Sequence, residues 1–182
     1  MLKNYLTLFL LVPFSLLAEA QPDKKSLAES SGRTSFFAEF GGPGILFSAN
    51  LDTRFKPSRL GLGGRAGIGF VTADESTYNP SNGNYGYNPA SVLTVPVQLN
   101  YIFGKGVSPH TFEVGAGITY LGKKLDIMNF YDDHKTNVFG TFAFMYRRQP
   151  VDGGFTWRIG FTPLVAQGYI QPFGAASLGY NF

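Results

Sequence analysis

The sequence predicts an all-β protein: a closed antiparallel eight-stranded up-and-down transmembrane β-barrel with its apolar face outward. Three observations carry that prediction. Two-residue alternation of apolar and polar side chains recurs along the chain, and no segment keeps a helical period. Charged residues make up only 15%, against about 25% in a typical soluble domain. The residues opposite the apolar face include paired-off arginines and carboxylates among many glycines, which suit a crowded interior better than a surface.

Taken in chain order, residues 1–20 read as a secretory signal peptide. Lys3 supplies the charged head, Leu6 to Leu17 the apolar run, and Ala18-Glu19-Ala20 the small-x-small site, with cleavage expected after Ala20. The run is shorter than the ~20 residues of a spanning helix and contains Pro13. Residues 21–33 (QPDKKSLAESSGR) form a flexible polar lead-in, and 34–182 form the barrel domain. The chain has no cysteine, so an exported protein of this sequence has no disulfide framework.

The first two alternating segments are SFFAEFG (35–41), where Phe36, Ala38 and Phe40 oppose Glu39, and ILFSANLDTRF (45–55). The second sets Ile45, Phe47, Ala49 and Leu51 against Ser48, Asn50, Asp52 and Arg54. Only GGPG separates them, which leaves open whether 35–55 is two strands or one bent strand. LGGRAGIGFV (62–71) faces Leu62, Ala66, Ile68 and Phe70 one way and Arg65 with its glycines the other. VLTVPVQLNYIF (92–103) alternates most clearly, and Pro96 within it is expected to cause a bulge or a missing ladder bond.

HTFEVGAGITYL (110–121) opposes Phe112, Val114, Ala116, Ile118 and Tyr120 to a face that includes Glu113. VFGTFAFMYRRQ (138–149) puts Phe142, Phe144 and Tyr146 against Thr141, Ala143 and Arg147. GFTWRIGFTP (154–163) puts Phe155, Trp157, Ile159 and Phe161 against Thr156, Arg158, Gly160 and Thr162. The eighth segment, PFGAASLGYNF (172–182), alternates to its last residue.

Apart from the weaker SFFAEFG, the segments are roughly 9 to 12 residues long, about the length a tilted strand needs to cross a bilayer. Closure of eight leaves no unpaired edge in lipid. The connections 57–59, 104–109 and 150–152 are short, whereas 73–90, 123–136 and 165–171 are read as longer loops at the opposite end. A soluble exported barrel would instead turn its apolar face inward. Aromatic residues near strand ends, such as Tyr101, Phe103, Tyr146, Trp157, Tyr180 and Phe182, favour the membrane arrangement.

The signal peptide, the strand rhythm and the terminal Leu178, Tyr180, Phe182 pattern together resemble the small eight-stranded outer-membrane β-barrels of Gram-negative bacteria, the plan of the OmpA transmembrane domain and OmpX. The resemblance implies residence in the outer membrane, contact with its lipid, and recognition of Leu178, Tyr180 and Phe182 by the barrel-assembly machinery.

Glu39, Asp52, Arg54, Arg65, Glu113, Arg147 and Arg158 are the expected polar interior, four cations able to pair with three carboxylates. A plugged lumen is expected; were water to thread it, the surplus positive charge would make a narrow anion-preferring pore. Tyr78, Tyr85 and Tyr87, with Asp132, Asp133 and His134, are candidates for an external surface that meets a protein or glycan.

No catalytic, cofactor or metal site is assigned. Ser76 or Ser81 with His134 could serve a lipid-modifying barrel enzyme, but no local motif fixes such a geometry. GLGGRAGIG (61–69) is no phosphate loop, because no helix follows it. The net charge of +3 comes from scattered basic residues, which argues against a nucleic-acid partner. The reading is a non-enzymatic integral outer-membrane protein, structural or adhesive.

Overall fold

The computed structural model describes residues 32–79, 81, 83–125 and 136–182. The signal peptide, nearly all of the lead-in and the trio Asp132, Asp133 and His134 lie outside them. Ten strands follow in chain order: β1 (Thr34–Gly41), β2 (Phe47–Arg54), β3 (Gly61–Asn79), β4 (Asn84–Gly104), β5 (His110–Leu125), β6 (Thr136–Arg148), β7 (Gly154–Phe161), β8 (Leu164–Ala166), β9 (Tyr169–Gln171) and β10 (Gly174–Asn181). All pairings are antiparallel; besides sequence neighbours, β6 pairs with β8 and β7 with β10, and β1 with β10 closes the circle.

Two of the barrel's strands are each interrupted once. β7 and β8 are one strand broken at Thr162-Pro163, and β9 and β10 one strand broken at Pro172-Phe173. Thr162 N still donates to Phe173 O (2.7 Å) and Phe142 N to Pro163 O (3.1 Å) across the breaks. Proline has no N–H to give a ladder, so the strands change direction there without losing their partners. The barrel therefore has eight staves, and β1 and β2 are separate members of it, joined in register at Phe40 and Phe47.

Pro96 interrupts the β3–β4 ladder: pairing stops at Ala66 with Val97 and resumes at Gly69 with Thr94 in the same register. The consequence is a missing pair of rungs and no bulge. On its other side Pro96 keeps its place opposite Thr119. The register does shift once, between β5 and β6 beyond Tyr120.

Three expectations need correction. The segment 73–90 is not a loop: β3 and β4 run on as a ribbon to Asn79 opposite Asn84, well past the last rungs that join them to β2 and β5. Residues 165–171 are likewise strand, with a tight turn at Gln167 (φ 51°) and Gly168 (φ 86°), the two positive φ angles that a right-twisted hairpin favours. Ile45 does not stand on the outer face. It sits at φ 71° in the β1–β2 turn and packs inward, because the Gly42–Gly44 turn before it folds into the barrel mouth.

The outer face is apolar. Phe40, Leu51, Ile68, Leu99, Ile118, Phe144, Ile159 and Leu178 are all exposed, one from each stave. Aromatic rings pair along the turn end, with Tyr101 and Phe103 4.6 Å apart and Tyr146 and Trp157 5.2 Å apart.

Candidate functional site

The lumen is the candidate site, and period-2 alternation builds it. Each stave sends every second side chain inward, so residues far apart in sequence meet on the barrel axis. All seven charged residues predicted to face inward do so, and each is almost wholly buried. They form one chain of alternating sign: Arg54, Asp52, Arg147, Glu113, Arg158, Glu39, Arg65.

Every carboxylate in that chain bridges two arginines. Asp52 accepts from Arg54 and, at 2.7 Å, from Arg147. Glu113 accepts from Arg147 at 3.1 Å and from Arg158 through both carboxylate oxygens, at 3.1 and 3.2 Å. Glu39 accepts from Arg65 and, at 2.9 Å, from Arg158. With every partner removed from water, the attraction is weakly screened, and the desolvation cost of several kcal/mol per ion is offset only because no carboxylate is left alone.

Neutral groups take up the remaining hydrogen-bonding capacity. Asn100 Oδ1 accepts from Arg54 (2.7 Å), while its Nδ2 donates to Glu113 (3.0 Å) and Asp52 (3.2 Å). Arg65 Nε donates to Asn50 (3.1 Å) and Arg158 Nε to Ser177 (2.9 Å). The Phe37 ring lies under both guanidinium groups, 3.6 Å from Arg158 and 4.9 Å from Arg65, and so fills the inner wall with an aromatic face that attracts cations.

Above this layer the filling changes. Val92, Leu121, Phe139 and Leu164 form a buried apolar cluster against Ile45 and Phe173. The inward-folded β1–β2 turn sits on it, held by Thr119 Oγ1 donating to Pro43 O (2.8 Å) and Thr94 Oγ1 to Gly44 O (3.2 Å). The expected polar interior is thus charged only in its lower part, while the upper part mixes apolar side chains with buried Ser48, Thr94, Thr119 and Thr162. Between the two layers, Gln98 and Thr141 face inward on either side of Gly117, and their buried side chains have no hydrogen-bond partner in the protein. A methyl group at Gly117 would run into the Val97 carbonyl and Gln98 Cα, so the residue type is fixed by the close approach of β4.

Arg59 closes the lower end and was not among the expected site residues. It lies in the β2–β3 turn, folds under the barrel, and donates to the carbonyls of Lys105 (3.0 Å), Gly106 (3.0 Å), Ser108 and Gln149 (3.1 Å). Burial, and then the Arg147 charge, pull its guanidinium below the ordinary arginine value, with Asp152 opposing.

A scan against protein-family models and a search of curated proteins find no match. A search of solved structures finds the crystal structure of the N-terminal β-barrel domain of Pseudomonas aeruginosa OprF, at TM-score 0.50 and 9% identity, covering 84% of this chain and 99% of that one. The protein has an OprF-like barrel fold. At that identity the likeness is one of architecture.

On the OprF-like frame the remaining predicted residues fall as follows. Leu178, Tyr180 and Phe182 are exposed on the outer face. Tyr78 and Tyr85 are register partners near the tip of the β3–β4 ribbon, and Tyr87 stands opposite Ser76. His134 lies outside the described residues, and with it the pairing with Ser76 or Ser81. Among the described residues no group of three or more His, Asp or Glu could hold a metal ion. His110 is an exposed residue at the turn end, bonded through Nδ1 to the Tyr146 hydroxyl.

Proposed function

We propose that this chain is an integral outer-membrane β-barrel protein with a structural or adhesive role, a plugged scaffold that holds the β3–β4 ribbon away from the membrane. The observation that supports it is the inverted polarity: Glu39, Asp52, Glu113 and four arginines are buried, while a continuous apolar surface is exposed. In water that distribution would be unfavourable on both sides; in lipid it is the stable one. The low charge and the OprF-like fold support the same reading.

The lumen in this reading is a specifier of shape and no conduit. An ion-paired layer, an apolar layer and the Arg59 cap lie in series along the axis. Reconstituted protein is expected to give no discrete conductance in planar bilayers. The outward pattern Leu178, Tyr180, Phe182 is, by resemblance, the segment engaged by the barrel-assembly machinery, and the ribbon is the surface offered to an external protein or glycan.

The deciding experiment is membrane fractionation with carbonate extraction, joined to a gel of boiled and unboiled protein in detergent. Retention in the outer membrane and faster migration of the unboiled form are expected. Release by carbonate, with no effect of boiling, would refute the reading.

A further inference from the structure

The two ends of the barrel differ in charge among the described residues. At the end where the short turns lie, Arg33, Lys56, Arg59, Lys105 and Arg148 face a single carboxylate, Asp152. At the other end, the described residues carry Asp74 and Glu75 against Lys123 and Lys124 and so balance. The lumen adds one surplus cation.

The basic turn end is also a single body. Arg59 binds the backbone of the β4–β5 turn at Lys105, Gly106 and Ser108, and that of the β6–β7 turn at Gln149. One buried guanidinium thus ties three of the barrel's turns into a platform. Lys56, Lys105 and Arg148 project from it, exposed and without an ion pair among the described residues. Beside them Val107 is 87% exposed, an apolar side chain at the outermost point of the β4–β5 turn.

Resting on the membrane reading above, we infer that this platform seats on the anionic phosphate headgroups of the leaflet at the turn end. Three unpaired cations held at fixed spacing meet a negatively charged surface just below the Tyr146, Trp157, Tyr101 and Phe103 aromatic belt, which sits at headgroup depth. Val107 then enters the headgroup layer in place of water. The described residues of the ribbon end carry no such surplus of cations, so the preference for anionic lipid belongs to one end of the molecule.

The test folds the full mature barrel into vesicles of phosphatidylcholine alone and of phosphatidylcholine with one-third phosphatidylglycerol, and compares folding equilibrium constants by urea titration. Anionic lipid is expected to raise the constant roughly fivefold per seated cation, so about a hundredfold for the three, with the gain lost in high salt. The triple variant K56Q/K105Q/R148Q should lose the gain while folding normally in phosphatidylcholine; K123Q/K124Q, at the other end, should keep it. Equal stability in both vesicles, or an undiminished gain in the triple variant, would overturn the inference and leave the membrane reading intact. Failure to insert into either vesicle would overturn both.

Discussion

The lower and upper parts of the lumen are one cavity filled by two kinds of chemistry. Below, seven charged side chains are satisfied only as a set. Above, Val92, Leu121, Phe139 and Leu164 fill space without directed bonds. Loss of a member therefore has different consequences. In the ionic layer it strands the charges that remain; in the apolar layer it leaves a hole.

The largest effect is expected at Glu113, which stands at the middle of the ionic chain and holds Arg147, Arg158 and Asn100. Glu113→Ala should cost about 4 kcal/mol in a urea titration, and adding Arg158→Met should return part of that loss, because one stranded cation is then gone. Leu121→Ala in the apolar layer should cost about 3 kcal/mol, and adding Phe139→Ala should deepen the loss. That contrast in the sign of the second substitution's effect is the sharpest test of the difference. The Leu121/Phe139 double variant should still be silent in planar bilayers, since the ionic layer remains in series below it.

At the boundary between the layers, Gly117→Ala should cost about 2 kcal/mol, as its methyl group collides with the backbone of β4. The smallest effect should be a gain. Gln167→Asn, at φ 51° in the turn between β8 and β9, should raise stability by less than about 1 kcal/mol, because asparagine tolerates the left-handed region better than glutamine. A loss there would mean that the Gln167 side chain has a role beyond the turn.

The sequence disclosed the ionic layer and concealed the apolar one for the same physical reason. Alternation reports a difference between the two sides of a strand. Where Arg65, Glu113 or Arg158 stands between apolar neighbours, the difference is plain. Phe139 stands beside Val138, and Leu121 beside Tyr120, so near the upper end both faces are apolar and the phase is hidden. The ribbon failed to register as strand in the converse way: from Ala73 to Ala90 neither side is consistently apolar, and the Asn, Gly and Pro content suggests a loop. Its pairing is visible only in the ladder from Val71 with Val92 to Asn79 with Asn84. Arg59 left no trace at all, because its partners are carbonyls of distant turns, which no residue type announces.

The ionic chain also bears on how the barrel can come together. Its longest bonds join strands remote in sequence: Arg158 and Glu39 are 119 residues apart, and Arg147 and Asp52 are 95. Neither of these two links can form in an isolated hairpin, and Arg158 on β7 reaches Glu39 on β1 across β10, the strand between them. A slip of one residue at that seam would turn charges toward lipid, and a slip of two would carry Glu39 about 7 Å along its strand from the arginines that hold it. The seven residues thus act as a lock with one key position. They penalise every wrong closure far more than they reward the right one, and the seam between the first and last strands is where that selection is made.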